Sequence, residues 1–201
     1  MNLEPSVRKS DDLEPACAVA LKEWDAQVSA LLEGRTAVLV RKGGIFEQRD
    51  GFQVQRGSFW LYPTFLHQNA GELNPAYQAG LRPDPMPGQV ALDAYATVAG
   101  VLKLENLASA RSLESVQALN SDSLERRFNY KNRPVLHALL LRVYRTAPQI
   151  VLETPAIRGC VSWIDLAPVV PVTDARAVLS DAAFDAQRSK LETLFGRFSG
   201  I

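Results

Sequence analysis

Leu21, Trp24, Val28, Leu31 and Leu32 recur at three- and four-residue spacing, which places them on one helical face, and Gly34 stands where a helix C-terminus favours a left-handed residue. The pattern predicts an amphipathic helix over residues 15–33, with Lys22, Glu23 and Asp25 on its solvated side. Thr36 to Arg41 is a short apolar run without alternation, as in a strand buried on both faces. Phe52 and Val54 then alternate with Gln53 and Gln55, and Phe59 and Leu61 with Trp60 and Tyr62. Two half-buried strands are therefore expected, with turns at Asp50-Gly51 and Gly57-Ser58. Pro63 ends the second strand, and Thr64 is placed to cap a short helical turn carrying His67.

Between Gly71 and Gly88 four prolines, Pro75, Pro83, Pro85 and Pro87, break regular structure and predict a long loop, with at most a turn at Ala76 to Ala79. Gln89 to Glu105 is strand-like but too long to lie flat, and Gly100 supplies a bend or bulge. Two short helices are expected over 109–120 and 121–131, the second with Leu124 and Phe128 on one face. A strand from Leu136 to Arg145 follows, then shorter strands over 150–152 and 160–166, a proline-rich linker from Pro168 and a terminal helix over 175–195. The organisation expected is a loose tail over 1–14, a single domain over 15–167, and a linker with a helix over 168–201 that packs on it. The fold class is α+β: a small, bent, mostly antiparallel barrel or sheet flanked by helices.

Composition narrows the functional classes. The 201 residues suit one domain, and 47% hydrophobic with 22% charged content excludes wholesale disorder. Because 22 basic and 22 acidic residues cancel, a nucleic-acid role has to rest on a local basic patch. No apolar run reaches the roughly 18 residues of a membrane span, and the N-terminus lacks the apolar core of a signal peptide. Cys17 and Cys160 stand far apart without a CxxC, which suits reduced thiols and a cytoplasmic protein with no membrane partner.

Special chemistry is densest between Arg41 and Gln68. Arg41, Lys42, Gly43 and Gly44 at a strand end bring two cations and freely approachable backbone amides to one place, as anion-binding nests do; a plain turn with solvated cations is the alternative. Trp60 and Tyr62 offer aromatic faces, while Thr64, His67 and Gln68 offer polar edges, the parts from which a base-binding pocket is made. Arg142, Tyr144 and Trp163 are expected to close the pocket from the C-terminal strands. Trp60 and Tyr62 share one strand face and Phe59 and Leu61 the other, so one pair belongs to the core and the other is available. Arg126, Arg127, Lys131 and Arg133 cluster at a predicted helix end; such a run is either a solvated face or an anion site. The signatures GxxxxGK[ST], GxGxxG, HExxH and GxSxG are absent, and no cofactor is expected.

Glu23-Trp24, Leu32-x-Gly34-Arg35 leading into RKGGI at 41–45, FWLYPTFLHQ at 59–68, LLLRVYR at 139–145 and GCVSWIDL at 159–166 together resemble the "domain of unknown function 1802" family of bacteria and photosynthetic organisms. More distantly, a helix ending in Gly and a basic residue before a strand is similar to the opening of ASCH domains. LLLRVYRTAPQIVL resembles the later half of EVE domains. Both are PUA-like small barrels, so the likeness implies binding of RNA or a modified base, although the lysine-to-glutamate pattern of ASCH domains is missing after Gly34-Arg35. Three readings follow. In the first, RNA, DNA or a nucleotide-like small molecule binds through Arg41, Lys42, Gly43, Gly44 and the aromatics. In the second, a metal-dependent nuclease uses Glu47, Asp50, Asp93 and Glu105, or a hydrolase uses His67; in the third, the aromatic stretch is a protein-docking surface.

Overall fold

The computed structural model describes residues 13–42, 57–196 and 198. Eleven elements follow one another: β1 (Ala16–Trp24), α1 (Asp25–Leu32), β2 (Val38–Arg41), β3 (Ser58–Thr64), β4 (Gln89–Leu104), α2 (Leu107–Ser112), α3 (Ser121–Asn129), β5 (Leu136–Leu152), β6 (Trp163–Pro171), β7 (Arg176–Ala177) and α4 (Asp181–Phe195), with short 3-10 turns between them. The strands form one sheet in the order β2-β5-β4-β3-β1-β6, and β7 pairs with β5. Every pairing is antiparallel except that of β1 with β3. The α+β class holds, and of the two expected forms, barrel or sheet, the described strands make an open sheet. Its two edges, β2 and β6, stay apart; β2 has only four residues, and β6 carries Pro168 and Pro171, which have no N–H to donate to a further strand.

The first half of the expected helix over 15–33 is a strand. Leu21 and Trp24 fit helical spacing, but β1 is paired on each edge, to β3 and to β6, and its two faces fill different apolar clusters, with Ala20 in one and Leu21 in the other, both fully buried. Ladder partners on both edges outweigh a local spacing that suits either conformation. Only at Asp25 does the chain turn helical, and Gly34 then ends the run at φ 69°. Lys22, Glu23 and Asp25, expected to face solvent, are all buried and partnered. Arg82 donates twice to Asp25, at 2.7 and 2.9 Å, while Glu23 accepts from Gln27 at 2.8 Å.

Two further expectations change. The strands over 136–145 and 150–152 are one 17-residue strand, β5, which pairs along the whole of β4. At Gly100 the expected bend or bulge is present as a register shift between Val98 and Gly100, where a Cβ would meet the Phe198 ring at 2.7 Å. Instead of yielding to a linker at Pro168, β6 continues to Pro171. The expected strand around 52–55 lies outside the described residues.

Helices α1 to α4 contribute to one apolar cluster with β2 and the near ends of β4 and β5. From α4, Phe184 and Leu191 enter it, and Phe184 lies between two guanidiniums, Arg142 at 5.0 Å and Arg188 at 5.5 Å. Arg142 is itself buried and donates to Asp181 at 2.6 Å and to the Ser180 carbonyl at 3.3 Å, which fixes the start of α4 to β5. Phe184→Ala should therefore lower unfolding free energy by about 3–5 kcal/mol in urea titration; a loss under about 1 kcal/mol would mean that α4 is no part of the folding unit.

Candidate functional site

A cleft lies where β2, α3 and the turn after α3 meet. It has a volume of about 590 Å³ and is lined by Arg41, Lys42, Arg126, Arg127, Lys131 and Arg133, together with Glu72, Ser123, Tyr130 and Ser162. Local sequence explains the arrangement. The Asn120 side chain accepts from the Ser123 amide at 3.0 Å and starts α3; Leu124 and Phe128 then face the core, which leaves Arg126 and Arg127 outward. After α3, Lys131 and Asn132 both take left-handed backbone, at φ 56° and 52°, and reverse the chain so that Tyr130, Lys131 and Arg133 are exposed beside the helix end.

Lys42 secures this corner. Its ammonium donates to the carbonyls of Phe128 at 2.6 Å, Val135 at 3.1 Å and Arg133, so its three N–H donors are all occupied. Burial pulls its pKa below the usual lysine range, and Arg133 adds to the effect. Arg41 forms the floor: its guanidinium donates to Glu23 at 2.5 Å and more weakly to the Lys22 carbonyl at 3.5 Å, with Glu23 shared by Gln27. Lys22 is turned elsewhere, toward the carbonyls of Gly159 at 3.2 Å and Ile157 and over the Tyr62 ring at 5.1 Å; burial lowers its pKa. On the outer wall, Arg126 and Arg127 stand 3.5 and 4.0 Å from the two oxygens of Glu72. Arg127 also lies over Trp24 at 5.5 Å, and Lys131 over Tyr130 at 5.4 Å. Among the described residues Lys131 and Arg133 face no carboxylate at ion-pair distance.

Of the residues singled out from the sequence, Arg41 and Lys42 line this cleft, and Gly43 and Gly44 lie outside the described residues. Trp60 and Tyr62 have no exposed surface. Neither face of β3 is available, since Phe59 and Leu61 fill one apolar cluster while Tyr95, Tyr144, Ile164, Leu166 and Val170 cover Trp60 and Tyr62 in another. The Tyr62 hydroxyl reaches Glu153 at 3.5 Å, and burial, reinforced by Glu153, raises its pKa. Tyr144 is buried too, which raises its pKa against the pull of Arg142, and Arg142 is engaged with α4. Trp163 packs edge-on against Phe59 at 5.2 Å. Thr64 accepts from the Leu66 amide at 3.4 Å, His67 is an exposed turn residue at φ 59°, and Gln68 accepts from the Ala26 amide at 3.0 Å. The segments over 41–68 and 142–163 thus meet, through Trp163 on Phe59 and Tyr62 on Glu153, but inside the core.

Of the carboxylates considered for a metal, the two that are described, Asp93 and Glu105, each face a cation. Asp93 lies 3.5 Å from Arg145 and Glu105 2.5 Å from Lys103, Glu47 and Asp50 lie outside the described residues, and among the described residues no group of three metal-ligating side chains forms. Sequence reasoning looked for an anion site at Lys42 and left Arg126, Arg127, Lys131 and Arg133 as one of two alternatives; it missed Glu72 and Tyr130 among the lining residues. The usable signal was the charge run at the end of α3, next to an exposed tyrosine.

A family model for a domain of unknown function, DUF1802, matches residues 20–190, and the chain belongs to that family. No curated protein matches it. Among solved structures it is similar to ASCH from Zymomonas mobilis, at 13% identity and a TM-score of 0.37 over 68% of this chain and 87% of that one. A point variant of the same protein superposes at a TM-score of 0.39 with 13% identity, over 68% of this chain and 88% of the other. So loose a superposition carries no residue role across.

Gln68 supplies the N-terminal bond of α1 that Trp24, at the capping position, does not make with its own side chain. Gln68→Ala should cost about 1 kcal/mol of stability in chemical denaturation, the usual worth of a helix cap. An unchanged midpoint would contradict this capping role.

Proposed function

We propose that this member of the DUF1802 family binds single-stranded nucleic acid, or a nucleotide-like fragment of it, in the cleft between β2, α3 and the Tyr130–Asn132 turn. The observation that carries the reading is the concentration of six cations against one carboxylate around a single cleft, on a chain whose 22 basic and 22 acidic residues cancel as a whole. A field of that sign, confined to one concavity, attracts a polyanion where the molecule as a whole does not. Arginine forks suit phosphate oxygens, and four of the six cations are arginines. Beside them Tyr130 is 58% exposed and offers a ring on which any base can stack. A volume of about 590 Å³ lies in the range of small-molecule and cofactor pockets.

The two ends of the cleft serve different purposes in this reading. Lys42 contributes charge and holds α3 in place but has no donor left for a ligand, whereas Arg126, Lys131 and Arg133 are exposed. Trp60, Tyr62 and Tyr144 keep the sheet together and take no part in binding.

Fluorescence anisotropy with a labelled single-stranded RNA should show binding that weakens with salt. About three phosphate contacts correspond to a log–log slope of about −2. Arg126→Ala with Arg127→Ala should weaken binding at least about tenfold and flatten the slope, and Tyr130→Ala should weaken it at every salt concentration. Affinity unchanged by the double substitution contradicts the proposal, and competition by uridine monophosphate at comparable affinity identifies the nucleotide-like fragment as the ligand.

A further inference from the structure

We infer that the phosphate subsite of this cleft is the Arg126–Arg127 pair, and that in the free protein the Glu72 carboxylate holds that subsite, so that ligand phosphate and Glu72 exchange. The inference rests on the reading above and adds to it the position of the anion and an internal competitor. Glu72 is the one acid among the lining residues, and it bridges both arginines, with Oε1 3.5 Å from Arg126 and Oε2 4.0 Å from Arg127. Those separations exceed the roughly 2.7–2.9 Å of a charge-assisted hydrogen bond. Elsewhere in the protein such bonds do close, with Arg82 on Asp25 at 2.7 Å and Arg35 on Glu33 at 2.7 Å. Glu72 therefore neutralises the pair without locking it.

The surroundings permit exchange. Glu72 keeps its backbone fixed: its carbonyl accepts from the Asn120 amide at 3.0 Å, its amide donates to Asn69 at 3.0 Å, and the next residue, Leu73, bridges to Leu119. Its side chain, 27% exposed, is free to rotate toward water while that turn stays in place. Each arginine is held independently of Glu72. Arg126 donates to Ser123 at 3.1 Å, and Arg127 lies over the Trp24 ring at 5.5 Å. A guanidinium pair supported in this way survives loss of the carboxylate, and a phosphate group, with more oxygens than a carboxylate and a tetrahedral spread, can engage two forks together. Phosphodiester in a strand and phosphomonoester on a mononucleotide share this chemistry.

The test compares wild type, Glu72→Gln and Glu72→Ala in anisotropy titrations with labelled single-stranded RNA, and in competition by uridine monophosphate and by inorganic phosphate, with melting temperatures measured alongside. Removal of the competing carboxylate should tighten RNA binding by about twofold to fivefold at low salt, the scale of a solvent-exposed ion pair, and should sharpen competition by whichever phosphate source fits. If both variants bind RNA as wild type does, or more weakly, while Arg126→Ala with Arg127→Ala still weakens binding at least about tenfold, the exchange is wrong and the cleft reading stands. If no variant binds any of the three probes, both are overturned.

Discussion

A single ammonium ties the edge of the sheet to the helical side of the molecule. Lys42, just past the end of β2, donates to carbonyls of Phe128, Arg133 and Val135, which belong to the end of α3, the turn after it and the start of β5. A helix C-terminus leaves its last carbonyls without partners inside the helix, and a cation there is favourable on both hydrogen-bonding and dipole grounds. With that corner fixed, Arg41 forms the floor of a cleft, and Arg126, Arg127, Lys131 and Arg133 form its walls. The three carbonyls engage the Lys42 ammonium in structure, and the exposed arginines are left as the groups able to meet a ligand.

The open sheet determines where such a cleft can exist. Both faces of β3 are covered, one by aliphatic residues of β4 and β5 and the other by tyrosines and by Ile164, Leu166 and Val170 from β6. Trp60 and Tyr62 are consumed as core, as large aromatics commonly are, and the concave surface with polar lining falls at the rim, where short helices meet a strand end. Buried charge follows the same division. Glu23, Asp25 and Arg142 are each paired and serve to position elements, whereas Lys131 and Arg133 on the exposed turn face no carboxylate at ion-pair distance among the described residues.

Much of the fold was legible in the sequence because continuous apolar runs report buried strands whatever their neighbours. Thr36 to Arg41, Gln89 to Glu105 and Leu136 to Arg145 were all recognisable on that ground. The first half of 15–33 was not, because Leu21 and Trp24 satisfy helical spacing and strand pairing alike, and the decision comes from β3 and β6, remote in sequence. Alternation at 59–62 showed that β3 has two faces; whether the second is open depends on Tyr95, Tyr144 and Ile164, which no local pattern connects to it. The site was half visible. Arg41 and Lys42 were read as special chemistry at a strand end and both line the cleft, yet what Lys42 does is settled by carbonyls far along the chain, and the charge run after Leu124 acquires meaning only when β2 is brought against it.

The central claim is that ligand contacts the end of α3 and the turn beyond it, and not the aromatic strand. Amide hydrogen exchange measured with and without saturating single-stranded RNA tests it most directly. Peptides covering residues 129–135 should gain protection on binding, while those covering 58–64 stay as protected as before. Protection confined to 58–68, with the turn at 130–133 unchanged, would contradict the account.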